Sequence, residues 1–134
     1  MILKIEVARA IEGSARETYP DECCGALLGT GDTATLALPL PNASDEPKQR
    51  RFRIRPDDYR RVERRAAEED LDLLGFFHSH PNHPAMPSAY DLEHAWPNLI
   101  YVILSIDGDR AGDLTAWLLS DDRSRLDPVE VSSS

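Results

Sequence analysis

Three of the chain's four histidines fall in one stretch, Gly75 to Asp91, and His78 and His80 are separated by a single serine. Leu73, Leu74, Phe76 and Phe77 precede them as a short apolar run that reads as a buried strand. Side chains on a strand alternate between faces, so His78 and His80 project to the same side, and two imidazoles can reach one cation without a bend in the backbone. A loop carrying Pro81, Pro84 and Pro87 follows, and Ser88-Ala89-Tyr90-Asp91 opens a short helix. A carboxylate in that first turn can swing back toward the strand's end. Two His nitrogens and one Asp oxygen make three protein ligands, the number typical of a catalytic zinc that keeps its fourth position for water.

Each part of this pattern also has a plainer reading. An isolated His-x-His is commonly solvated or hydrogen-bonded without a metal, and Ser88 with Asp91 fits a helix-capping pattern that needs no chemistry. The local spacing supports a metal site and leaves those readings open.

A length of 134 residues is enough for one domain with a sizeable core and too little for two ordinary ones, so residues 1–134 are expected to form a single domain. A net charge of −9 with a pI near 4.8 argues against general binding to nucleic acid or anionic membrane, which rests on counter-charge to phosphate. Met1 to Val7 has none of the marks of a secretory signal, and no stretch approaches the apolar length that spans a bilayer. A cytoplasmic protein with no membrane or nucleic-acid partner is expected. Cys23 and Cys24 are adjacent, and a bond between neighbours closes no useful loop, so they read as reduced thiols at the start of a buried strand.

The elements that must hold the histidine stretch can be read in order. Residues 2–7 alternate as a short strand, and from about Ala8 a helical period carries Val7, Ile11, Ala15, Thr18 and Tyr19 on one face until Pro20 ends it. Cys23 to Gly29, a Gly-Thr-Gly-Asp turn and Thr33 to Leu40 read as a hairpin, and residues 39–48 as an exposed loop. Arg50 to Arg55 has strand character. Pro56-Asp57-Asp58 begins a helix whose apolar stripe is Tyr59, Val62 and Ala66. Arg60, Arg61, Arg64 and Arg65 line its outside, either as a solvated face paired with Glu68 and Glu69 or as a docking patch for an acidic partner. Leu99 to Ile106 reads as a central strand, Leu114 to Leu119 as its neighbour, Pro128 to Val131 as an edge strand, and the terminal serines as frayed. Strands and helices interleave, which places the chain in the α/β or α+β class with one mixed sheet.

Two blocks together resemble a known family. His78-Ser79-His80-Pro81, seven residues to Ser88 and two more to Asp91, is similar to the signature of the JAMM metallopeptidases, or MPN+ domains. Upstream, Tyr19-Pro20-Asp21-Glu22-Cys23-Cys24-Gly25-Ala26-Leu27-Leu28-Gly29 resembles that family's second hallmark, an acid entering a strand after the first helix. The resemblance implies one zinc per chain on His78, His80 and Asp91, with Glu22 as general acid and base and Ser88 helping to bind the oxyanion. It also implies an α/β, cytidine-deaminase-like MPN fold, a mixed sheet flanked by helices. Without the family, Glu22 reads as an ordinary surface acid beside Glu12 and Glu17. His83 and His94 fall outside the pattern and read as surface or supporting residues.

Members of that family cut amide or isopeptide bonds at the C-terminus of ubiquitin-like proteins. A chain of this size resembles the prokaryotic branch, which implies small β-grasp sulfur-carrier proteins as substrates, including one that carries cysteine on its C-terminal glycine during cysteine synthesis. The resemblance leaves a homodimer open. The competing classes are a non-catalytic MPN-type interaction scaffold, a zinc-binding protein without chemistry, and a zinc nucleobase deaminase. The last lacks support, since the chain has no Pro-Cys-x-x-Cys block and no Glu two residues after a ligand His.

Overall fold

The computed structural model describes residues 1–48 and 51–134. In chain order the elements are β1 (Ile2–Leu3), α1 (Ile5–Thr18), β2 (Cys24–Thr30), β3 (Thr33–Leu40), α2 (Pro56–Glu69), β4 (Asp72–Pro81), α3 (Ala89–Glu93), β5 (Ile100–Asp107), β6 (Arg110–Leu119), β7 (Leu126–Val129) and β8 (Ser132–Ser133). The strands form one sheet in the order β7-β6-β5-β4-β2-β3-β1-β8. It is mixed: β4 runs parallel to β5 and β1 parallel to both β3 and β8, while the remaining pairs are antiparallel. The two edge strands β7 and β8 lie only two residues apart in the chain, so the sheet must curl until its edges approach each other.

Each face of the sheet carries its own core. Leu3, Val7, Ile11, Ala15, Cys23, Leu27, Phe77 and Val102 pack together on the α1 side. Cys24, Ala26, Leu28, Val62, Ala66, Phe76 and Tyr101 pack on the α2 side. The two-residue period of β2 and β4 divides them, so Phe76 fixes the parity that sends His78 and His80 toward the α2 side. Close approach shapes the centre: a β-carbon at Gly75 would overlap the Ile100 carbonyl, so only glycine lets β4 lie this close to β5.

Three readings of the sequence need correction, and a fourth, the solvated arginine face of α2, holds. The strand expected over residues 2–7 is only Ile2–Leu3, and α1 begins at Ile5. Leu3, Val7, Ile11 and Ala15 are all buried on one side, and that four-residue spacing outweighs the short alternation. Residues 51–55, expected as a strand, belong to no strand or helix, and Arg50 lies outside the described residues. The Arg53 N–H and C=O instead bond the Asn42 side chain and the Ala43 N–H, which pins the segment to the preceding loop. The terminal serines are paired: Ser132 N–H donates to Met1 O, and Ser134 N–H to Leu3 O. On α2, Arg60 and Arg61 pair backward with Asp57 and Asp58, and Arg65 pairs with Glu69, so the arginines lie along a solvated face with partners on their own helix.

Candidate active site

β4 delivers the two histidines, and their Nε2 atoms stand 3.2 Å apart in a fully buried setting. Asp91 arrives from α3. Its Oδ1 lies 3.3 Å from His78 Nε2 and its Oδ2 3.2 Å from His80 Nε2. Zinc held tetrahedrally at about 2.0–2.1 Å from each ligand separates ligand atoms by about 3.3 Å, and each histidine nitrogen stands at about that distance from the other and from one of the two Asp91 oxygens, so the three side chains are grouped closely enough to share an ion. The donor set is also chemically apt. Burial lowers the His78 pKa, against the opposing pull of Asp91, which keeps an imidazole lone pair available. Burial alone would raise the Asp91 carboxyl, but the facing His78 and His80 rings bring it well below the usual carboxylate range.

The capping reading of Ser88 and the ligand reading of Asp91 prove compatible. Ser88 Oγ accepts from the Asp91 N–H at 3.0 Å, while Asp91 Oδ2 accepts from the Ser88 N–H at 2.8 Å, a reciprocal capping box. A helix of five residues has few bonds of its own. The box therefore fixes the carboxylate that faces the histidines. The loop before it is tied down as well. Thr115 Oγ1 donates to Ala85 O and Ser105 Oγ to His83 O, so β5 and β6 hold the connection that aims α3.

The two histidines are oriented differently. His80 Nδ1 lies 2.8 Å from Pro84 O, so that nitrogen carries the proton and Nε2 presents its lone pair to the triangle. His78 Nδ1 has no hydrogen-bond partner among the described residues. Its ring is instead stacked on Phe52 at 4.6 Å between centroids, so packing rather than a hydrogen bond sets its plane.

Glu22 overturns the reading of an ordinary surface acid: it is 2% exposed. The pairing of Cys24 with His78 in antiparallel register places Glu22, two residues before Cys24, opposite His80 and on the same side of the sheet. Glu22 N–H donates to Lys48 O, and Asn42 Nδ2 donates to Glu22 O. The backbone is thus held while side-chain Oε1 remains buried without a hydrogen-bond partner among the described residues. Burial and the nearby Asp91 charge push its pKa up to about 9, against the opposing effect of Arg51. Such a group holds a proton at neutral pH and becomes a carboxylate once positive charge is placed beside it.

That shift predicts a measurable effect on stability. The unfolded carboxyl titrates near 4.5 and the folded one near about 9, so between those values the folded state binds the extra proton. Stability therefore falls as pH rises through that window. Glu22→Gln cannot ionise. Stripped of metal, the variant should match the parent at about pH 4 and exceed it increasingly toward pH 9, by a few kcal/mol at most, in denaturant melts at each pH. A constant difference across the window would contradict the burial of this charge.

His83 is closer to the site than the sequence indicated. Its ring stacks on His80 at 4.2 Å, and it forms a second cluster with Glu22 and His80 whose ligand atoms lie within 4.8 Å of one another. His94 is exposed and stacks on Tyr90. Beside the triangle lies a cavity of about 210 Å³ lined by Phe52, Tyr59, Phe76, Trp96 and Tyr101, with His78 and Asp91 at its wall. The sequence reading missed this aromatic groove, because its walls come from four separate segments. Cys23 and Cys24 are free and buried, and burial raises both thiols, Cys24 to about 12.

Known proteins share this arrangement of elements. A profile of prokaryotic homologs of the JAB domain matches residues 4–120. The desampylase of Haloferax volcanii is 37% identical over 105 residues, spanning 76% of this chain and 74% of its own length. The CysO-cysteine peptidase of Mycobacterium tuberculosis is 27% identical over 134 residues, covering 98% of this chain and 90% of that protein. In fold, the chain is similar to a JAB1/MPN domain protein of Archaeoglobus fulgidus, with a TM-score of 0.63 over 99% of this chain and 98% of that one at 19% identity.

Proposed function

This chain belongs to the family of prokaryotic JAB-domain homologs, and from that premise we propose that residues 1–134 are one cytoplasmic zinc peptidase domain that hydrolyses the amide bond at the C-terminal glycine of a ubiquitin-like sulfur-carrier protein. The observation that carries the reading is the buried cluster of His78, His80 and Asp91, with nitrogen–nitrogen and nitrogen–oxygen separations of 3.2 to 3.3 Å, beside the buried Glu22 carboxyl, whose Oε1 has no hydrogen-bond partner among the described residues. A scaffold protein has no use for a buried acid with an oxygen left without a hydrogen bond, because its desolvation costs stability with no structural return. Relatives named as a desampylase and a CysO-cysteine peptidase support a carrier-protein conjugate as the substrate class.

His78 Nε2, His80 Nε2 and an Asp91 carboxylate oxygen would hold the ion. When bound, zinc supplies a divalent charge that acidifies water to a pKa of about 7, polarises the scissile carbonyl and favours the ionised form of Glu22. Glu22 takes a proton from the attacking water at its free Oε1 and later gives it to the amine nitrogen as the C–N bond breaks. Ser88 Oγ accepts the Asp91 N–H with a lone pair, which leaves its own O–H free to donate to the developing oxyanion. The aromatic groove lies where the substrate chain would run away from the metal end, and its apolar walls exclude water from one flank.

The test incubates the purified chain with a β-grasp carrier bearing cysteine, or an amine-linked peptide, on its terminal glycine and weighs the products by mass spectrometry. Release of the amine with regeneration of the free glycine carboxylate, abolished by chelator and restored by zinc, is the expected result. An intact conjugate with zinc present would sink the proposal. Ser88→Ala separates two of that residue's duties. It should lower kcat by about 10²–10³-fold with little change in KM and reduce stability by about 1 kcal/mol through loss of the cap. An unchanged kcat would leave Ser88 only its capping role.

A further inference from the structure

His83 and Glu22 face each other across the mouth of the site, and the reaction proposed above gives His83 no part. Its Nδ1 lies 2.8 Å from Pro81 O, so that nitrogen carries the proton and Nε2 is left with a lone pair. Glu22 Oε1 is equally uncommitted: it is buried and has no hydrogen-bond partner among the described residues. Together with His80 these groups form a cluster with ligand atoms within 4.8 Å of one another, which shares only His80 with the cluster of His78, His80 and Asp91. An imidazole nitrogen and a carboxylate oxygen brought this near each other are donors of the kind zinc takes, and a small side-chain shift closes them onto one ion.

His80 cannot serve both clusters at once. Its Nδ1 is engaged by Pro84 O, and its Nε2 belongs to the first triangle. With the first site filled, a second ion would have Glu22 and His83 as its protein ligands and water for the remainder. Two protein ligands bind less tightly than three, so the second site fills only when zinc is in excess. We propose that Glu22 and His83 form this second, weaker zinc site, and that its occupation withdraws Glu22 from proton transfer and so inhibits hydrolysis. Excess zinc then restrains the enzyme that a single zinc activates.

The inference rests on the first site being a zinc site, and the experiment keeps the two apart by counting ions. The full chain is dialysed to equilibrium against rising zinc, bound metal is measured by atomic absorption, and carrier-conjugate hydrolysis is followed in parallel. His83→Asn replaces the imidazole nitrogen with a far poorer amide donor, and His83→Phe removes the donor altogether while keeping a ring to stack on His80. Bound zinc should rise from about one to about two ions per chain in the parent and stay at about one in both variants. Parent activity should fall at least about tenfold as the second ion binds, and activity of the His83→Phe variant should hold steady across the same range. Retention of the first ion shows that a variant is folded. A parent that never exceeds one ion, or variants that take a second as readily, would overturn the proposal. Absence of hydrolysis at one zinc would instead defeat the functional reading, and the ion counts would still decide the second site.

Discussion

Glu22→Ala is expected to hold the first zinc ion as the parent does and to lose about 10²–10⁴-fold or more in kcat, with KM changing little. The two halves of that result have separate causes. The proposed ligands His78, His80 and Asp91, whose facing atoms stand 3.2 to 3.3 Å apart, take nothing from Glu22, so the first ion has no reason to leave. Proton transfer has no comparable substitute. Asp91 is committed to the ion, and His80 Nδ1 is committed to Pro84 O. His83 is the remaining near neighbour: its Nδ1 is held by Pro81 O, and the lone pair on its Nε2 is another acceptor nearby, which sets the lower end of the expected loss. Glu22→Gln should behave in the same way, since it keeps the shape and loses only the exchangeable proton. Metal content by atomic absorption and steady-state kinetics on a carrier conjugate decide the matter together. Full activity in either variant would remove Glu22 from the reaction, and a fall in first-site zinc would move it into the ligand set.

The sequence carries the ligand geometry better than it carries the base. His78 and His80 are two apart on an apolar run, and a two-residue period is enough to place them on one face. Ser88 and Asp91 are three apart at a helix start, and the capping box that this spacing encodes is the device that aims the carboxylate. Both are local relationships. Glu22 is different, because its place opposite His80 depends on the register in which β2 pairs with β4, more than fifty residues away. Only the resemblance to a family singled it out from Glu12 and Glu17. The aromatic groove was hidden for a related reason: Phe52, Phe76 and the Trp96 to Tyr101 stretch are far apart in the chain, and Phe76 meets Tyr101 only through the parallel register of β4 with β5. The misread segments share one cause. At Ile2–Val7 a brief alternation competed with a longer helical period, and at the C-terminal serines polarity suggested fraying where backbone pairing to β1 decides the structure.

A comparison at Asp91 separates the ligand from the cap and has the other large expected effect. Asp91→Asn retains an oxygen that can accept from the Ser88 N–H, so α3 should keep its start and the protein its melting temperature. The amide is a far poorer zinc donor than the carboxylate. Since replacing even an outer partner of a zinc ligand costs about 10–100-fold in metal affinity, losing an inner ligand should cost at least about 100-fold, and hydrolysis at limiting zinc should fall in proportion. Asp91→Ala loses the ion to a similar degree and also loses half of the capping box, for a further loss of about 1 kcal/mol in stability. The metal-free proteins are the informative pair: there the asparagine variant should melt above the alanine variant, because the cap is the surviving difference between them. Competition for zinc against a chromophoric chelator measures the first effect, and denaturant melts of the stripped proteins measure the second. Parental zinc affinity in Asp91→Asn would mean that the carboxylate only builds the helix, and the metal would then have to be held by the histidines with some other donor.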